Sequence, residues 1–236
     1  PKPTVYAEWM RQVDKWREEE PFRYADRDDA IVPQYALERM WQILKKRGQL
    51  DDTSVSSGVG QHQMWAAQYL KFNKPRHWFT SGGLGAMGFG LPAALGAQAA
   101  HPLKTVIDVD GDGSFLMNVQ ELATCFTERL PVKVLLLNNQ HLGMVVQWED
   151  RFFGSNRGHT YLGAGQDQDW YPNFVKVAEG FGVKARTVTD KRDLDAALIE
   201  LIEHDGPFVL DVHVPHQEHV LPMIPAGMTV KDIIKA

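Results

Sequence analysis

The sequence predicts an α/β fold: a three-layer, doubly wound, six-stranded parallel sheet with helices on both faces. Three observations carry this expectation. Short apolar or β-branched runs recur along the chain, helical stretches separate most of them, and no internal repeat or low-complexity segment breaks the alternation. At 236 residues the chain holds enough material for one large domain with a substantial core.

Taken in order, Thr4–Glu20 has helical spacing, with Val5, Trp9, Val13 and Trp16 on one stripe. The polar stretch 21–29 reads as a linker, so residues 1–30 are expected to lead in from a preceding domain. Pro33 sits where a helix starts, and Tyr35–Arg47 runs to a glycine stop at Gly48. Strands are expected at Ser54–Ser57, His77–Thr80, Thr105–Val109, Val132–Leu137, Lys184–Val188 and Phe208–His213. Between and after them, helices are expected at Gln63–Leu70, Gly88–Ala100, Asn118–Arg129, Met144–Phe153, Pro172–Phe181 and Lys191–Glu203. Gly154–Asp169 is glycine-rich and polar and reads as a mobile loop on the functional edge of the sheet.

Composition excludes several classes. A net charge of −5 and the lack of a basic stripe argue against nucleic acid as a partner. The longest apolar stretch, Leu84–Ala100, contains Pro92 and reads as a tightly packed buried helix; nothing reaches membrane-spanning length. The single cysteine, Cys125, allows no internal disulfide and reads as a buried, inert thiol in a reducing compartment. No signal or transit peptide is expected at the start, which opens Pro1-Lys-Pro3 as though cut from a longer polypeptide.

The most informative chemistry lies between residues 110 and 139. Gly111-Asp112-Gly113 follows one buried strand, Asn138-Asn139 ends the next, and 24 residues separate Gly113 from Asn138. A βαβ unit of this length brings the carboxyl ends of its strands side by side. Asp112 and Asn139 are then two hard oxygen ligands beside a glycine turn, which suits a Mg²⁺ ion holding a diphosphate.

Other readings compete. Asp108-Val-Asp110-Gly-Asp112-Gly113 begins like an EF-hand loop, but its twelfth position is Val119 rather than Glu. Gly83-Leu-Gly-Ala-Met-Gly88 matches the dinucleotide fingerprint, with Asp108 about where the ribose-binding acid belongs, and this remains the serious competitor. The bland alternative is that Asp112 shapes a turn and Asn138-Asn139 caps the next helix. His213, His216 and His219 recur at every third residue, but Pro215 and the absence of a regular element argue against zinc.

Together with the Gly-Asp-Gly and Asn-Asn pair, four motifs resemble the acetohydroxyacid (acetolactate) synthase family: 59-VGQHQMW-65, 81-SGGLGAMG-88, 138-NNQHLGM-144 and 215-PHQEHVLPMIP-225. The resemblance runs from about Ala30 to Thr229 and covers only the C-terminal third of such an enzyme. It implies a thiamine-diphosphate-binding domain over 31–214 and a C-terminal lid or tail over 215–236. Asp112 and Asn139 would ligate Mg²⁺ with the backbone carbonyl of His141. Gln61 and His62 would contact the diphosphate, with Gly111, Gly113 and Ser114 forming the phosphate-facing turn. Gly85 would let the aminopyrimidine approach the backbone, and Met87 would wedge beneath the bent cofactor. Met144, Val145 and Trp148 would line the substrate and inhibitor channel. Ala226 stands before Gly227 in the lid where plant-type members commonly carry serine, which bears on inhibitor sensitivity rather than chemistry.

The implied reaction decarboxylates pyruvate and joins it to a second pyruvate or to 2-oxobutyrate, giving 2-acetolactate or 2-aceto-2-hydroxybutyrate. The activating glutamate is expected from a missing pyrimidine-binding domain, so no catalytic residue is assigned in this chain. FAD is expected in a missing central domain. The resemblance also implies a homodimer or dimer of dimers, a possible regulatory small subunit, and a bacterial cytoplasm or plastid stroma. Two alternatives stay open: a pyruvate oxidase or glyoxylate carboligase of the same architecture, and a non-catalytic assembly or regulatory module.

Overall fold

A computed structural model describes residues 6–19, 22–163 and 171–235. They fall into two compact units, Asp26–Leu221 and a smaller one joining residues up to Ala25 with those from Pro222 onward. The larger unit contains one sheet of six strands: β1 (Thr53–Ser57), β2 (Trp78–Thr80), β3 (Thr105–Gly111), β4 (Lys133–Asn138), β5 (Lys184–Val188) and β6 (Phe208–His213). Every pairing is parallel, in the order β2-β1-β3-β4-β6-β5. The predicted doubly wound parallel sheet is therefore the observed one. Strands β1 and β4 are buried along their whole length, the consequence of helices covering both faces.

On one face lie α2 (Pro33–Lys46), α3 (Gln61–Tyr69) and α9 (Leu194–Glu203), which contact one another or β3, β4 and β6. On the other lie α4 (Gly90–Ala100), α5 (Asp112–Leu116), α6 (Leu122–Thr127) and α8 (Phe174–Gly180). There Leu91, Phe115, Leu122, Cys125 and Phe174 pack with Val106, Val134 and Leu136 in one apolar cluster. Helix α7 (Gly143–Phe152) leaves the carboxyl edge after β4. From β1 the chain runs to β2 on one side and then crosses to β3 on the other. The crossing opens a crevice at the carboxyl ends of β1 and β3.

Three expectations need correction. The helix expected over Asn118–Arg129 is present but shorter, a 3-10 turn at Val119–Glu121 running into α6, and the separate short helix α5 precedes it. Asn118, at φ −134°, separates α5 from that turn, and its amide donates to the Gly88 carbonyl at 2.8 Å, a tertiary bond that holds the residue outside helical geometry. The buried helix expected from Leu84 starts only at Gly90, and Leu84 itself is 97% exposed in the glycine loop before it. The described part of the 154–169 loop is anchored rather than free. The buried Glu149 accepts hydrogen bonds from the Gly158 N–H (2.7 Å) and the Thr160 hydroxyl (2.9 Å). Residues 164–169 of that stretch lie outside the described residues.

In the smaller unit, α1 (Ala7–Glu19) buries no residue, and Trp9 and Trp16 stack edge to face at 5.5 Å. Thr4, Val5 and Glu20 of the expected helix lie outside the described residues. Met223 bridges Ile234 there, and Thr229 and Asp232 form a capping box around a 3-10 turn. Ala226 belongs to this unit, exposed beside Gly227 at φ 79°.

Candidate active site

The loops leaving β1, β3 and β4 converge on one cleft. Val59–His62 line it from the β1 loop, Gly111–Ser114 from the end of β3, and Asn139 and His141–Val145 from the segment after β4. Met87 comes from the glycine loop and Val214 from the end of β6. Register explains the convergence: Gly111 pairs with Leu137, so Asp112 and Asn139 each leave the sheet within two residues of the same level.

Asp112 opens α5 and is 2% exposed. Burial pushes its carboxyl up to about 7, opposed by a hydrogen bond that the Tyr171 hydroxyl donates to Oδ2. A carboxylate this buried, with no Lys or Arg partner, fits a hard divalent cation that would keep it ionised. Asn139 faces the same cleft and accepts from the His141 N–H at 3.0 Å. The turn is held by Gln140 at φ 58° and by the His141 Nδ1 contact with the Asn139 carbonyl at 2.7 Å. Its partner in the pair behaves differently. Asn138 is 3% exposed and donates to Asp211 Oδ1 at 2.9 Å, so it serves the sheet and not the cleft. Neither asparagine caps α7, whose N-cap is Leu142.

The glycines let neighbouring side chains close in on the turn. A side chain on Gly113 would begin 2.9 Å from Leu142 and 3.7 Å from the Met87 methyl, so Met87 closes over the Gly-Asp-Gly turn from across the cleft. On Gly111 it would lie 2.5 Å from His62 Nδ1. His62 Nε2 sits 3.2 Å from Asp110 Oδ1, close enough for charge contact but misaligned for a hydrogen bond. Gln61 and His62 begin α3, two residues before the expected helix start. The Gln61 amide donates to Gln147 Oε1 (3.0 Å) and the Glu218 carbonyl (2.9 Å), leaving its buried Oε1 without a hydrogen-bond partner. Ser114 Oγ accepts from the Val59 and Gly88 N–H groups at 3.3 and 3.0 Å, tying the β1 loop and the glycine loop to α5.

Gly85, at φ 68°, and Trp148, half-buried against Phe152 at 4.9 Å, do not line this cleft, whereas Met144 and Val145 do. Sequence reasoning missed Tyr171 and Gln147. Tyr171 sits 59 residues beyond Asp112, and Gln147 holds residue Val220 through both its amide nitrogen and oxygen. Neither falls within a motif.

The competing readings do not survive the geometry. Asp108 is fully buried within β3, where it accepts from the Ser56 hydroxyl at 3.0 Å, so it offers nothing to a ribose or to calcium. His213 contacts Asp211, His216 stacks on His141, and His219 meets Arg151 and Asp150. No group of three or more His, Cys, Asp or Glu is arranged for a metal ion among the described residues. Cys125 is buried, which pushes its thiol up to about 12. No described helix is long and apolar enough to cross a membrane.

The chain is 54% identical over 230 residues to acetolactate synthase 1, chloroplastic, of Nicotiana tabacum, covering 97% of this chain and 34% of that protein. It is 54% identical to acetolactate synthase 1, chloroplastic, of Zea mays, covering 97% and 35%. Identity to acetolactate synthase, chloroplastic, of Arabidopsis thaliana is 52%, covering 97% and 34%. The chain thus spans about a third of the length of these curated relatives. Residues 58–212, from the β1 loop to the end of the sheet, match the family described as thiamine pyrophosphate enzyme, C-terminal TPP binding domain, and the chain belongs to that family.

Proposed function

We propose that this chain is the diphosphate- and Mg²⁺-binding part of an acetolactate synthase, acting in branched-chain amino acid biosynthesis. The observation that carries it is the meeting of Asp112 and Asn139 in one glycine-walled cleft at the β3–β4 edge. The similarity to named acetolactate synthases supports the choice of reaction.

In this reading Asp112, the Asn139 side chain and the His141 carbonyl hold Mg²⁺, and water and diphosphate oxygens complete its shell. Gln61, through its unpartnered Oε1, and His62 face the diphosphate side, while Gly111, Gly113 and Ser114 supply the turn. Gly85 keeps the glycine loop thin for the aminopyrimidine, and Met87 braces the cofactor in its bent form. Bound thiamine diphosphate supplies the carbanion chemistry; the chain orients it and keeps water away. Met144, Val145 and Trp148 border the channel for pyruvate and 2-oxobutyrate, and residues 215–236, with Ala226, act as a lid. An activating glutamate, FAD, a second protomer and any regulatory subunit belong to the rest of such an enzyme. A plastid stroma follows if the chain shares the location in its relatives' names, and a bacterial cytoplasm otherwise.

Calorimetric titration of thiamine diphosphate with and without Mg²⁺ tests the proposal. Binding should depend on the metal. Metal-independent binding, or none under either condition, would count against the proposed site and favour a non-catalytic module.

A further inference from the structure

We infer that Tyr171 is a positioning residue for the metal ligand Asp112, an inference that rests on the Mg²⁺ site proposed above. Its hydroxyl donates to Asp112 Oδ2 across 59 residues of sequence. The backbone amides of Gly113 and Gln140 also face the carboxylate, so Tyr171 adds a side-chain hold to a group otherwise steered by the main chain. With Oδ2 committed to the phenol, Asp112 presents its other oxygen to a cation. One ligating oxygen at a set angle suits Mg²⁺, which demands near-octahedral geometry and takes few protein ligands.

The phenol is itself fixed. Its ring packs on Phe174 at 5.8 Å and 66°, and Phe174 packs on Phe115 at 5.9 Å and 61°. Phe174 and Phe115 are each 1% exposed. Phe115 lies on α5, the helix that Asp112 opens, so one aromatic ladder through the core fixes the hydroxyl relative to the carboxylate it meets. Hydrogen bonds from outside the ligand shell commonly orient ligating carboxylates in this way, and losing one typically weakens metal affinity about 10–100-fold.

The test is Tyr171→Phe, which keeps the ring and removes only the hydroxyl. Mn²⁺ in place of Mg²⁺ gives a direct readout, the free-ion paramagnetic resonance signal titrated with thiamine diphosphate present. The variant should bind Mn²⁺ about 10–100-fold more weakly, with its melting temperature within a few degrees of wild type. In an Asp112→Asn background the same change should add nothing, a non-additivity that general loosening of the fold would not produce. Equal or tighter Mn²⁺ binding by Tyr171→Phe overturns the inference while leaving the metal site standing. So does an additive loss in the double variant. If the wild-type chain itself shows no metal-dependent binding, the metal site fails first.

Discussion

The two ends of β3 and β4 bury polar groups in opposite ways. At the amino end of β4, Lys133 is 4% exposed and donates through Nζ to the His204 carbonyl and to the Gly206 carbonyl at 2.5 Å. Toward the carboxyl end, Asp108 and Asp110 are both fully buried, and the Oδ2 atom of each lacks a hydrogen-bond partner. Burial and the neighbouring Asp110 hold the Asp108 carboxyl well above the usual carboxylate range. Asp112 follows with no Lys or Arg partner among the described residues. The amino end is closed and contributes stability. The carboxyl end is left incomplete by the chain's own atoms, and a buried polar group without a partner marks a position that packing alone does not explain.

That contrast can be broken most sharply at Asp112. Asp112→Asn should weaken Mg²⁺-dependent cofactor binding at least about 100-fold, close to 2.7 kcal/mol. Melting of the ligand-free chain should stay the same or rise, because a buried charge lacking a counter-charge gives way to a neutral amide of the same shape. Calorimetry and thermal unfolding on one preparation read both quantities. A large fall in ligand-free melting temperature would instead make Asp112 a structural residue.

A second substitution probes the packing beneath the site. A Cβ on Gly58 would lie 1.9 Å from Asp110 Oδ1 and 2.2 Å from Ser114 Oγ, whereas one on Gly96, within α4, would meet nothing within 4 Å. Gly58→Ala should cost about 2–3 kcal/mol in urea unfolding. Gly96→Ala should be neutral or stabilise by up to about 1 kcal/mol, since alanine loses less backbone freedom in a helix. Equal effects would mean that the carboxyl end is no more tightly packed than an open helix face.

The amino end gives the smallest and most pH-specific effect. Lys133→Met should cost about 1–2 kcal/mol by leaving two carbonyls unpaired. Burial lowers the folded-state pKa of Lys133 from 10.5 to about 8. Between these values the unfolded chain binds more protons than the folded one, so stability should rise with pH from about 8 to 10.5. The variant should lose that rise, which denaturant midpoints across the range would reveal.

How much of this could be read in advance depended on how local each cause was. Apolar runs such as 134–137 and 208–212 needed only their own composition to become buried strands, so all six appear within a few residues of expectation. The Gly-Asp-Gly and Asn-Asn pair pointed to the cleft because a βαβ unit of that length juxtaposes its strand ends whatever else surrounds it. The separation of α5 from the following helical turn at Asn118 was not legible, because Asn118 bonds to the Gly88 carbonyl, 30 residues earlier in sequence.

By itself the sequence determined the strand set, the parallel sheet and the strand ends at which Asp112 and Asn139 meet, all consequences of periodicity and turn chemistry over short spans. Only the tertiary structure decided which asparagine faces the cleft and which serves Asp211, that Gln147 holds Val220, and that Tyr171 holds Asp112. Those choices turn on the direction of a side chain and on distances between distant segments. Hydrogen bonding is short-ranged and directional, so its partners are fixed only once the chain has closed on itself.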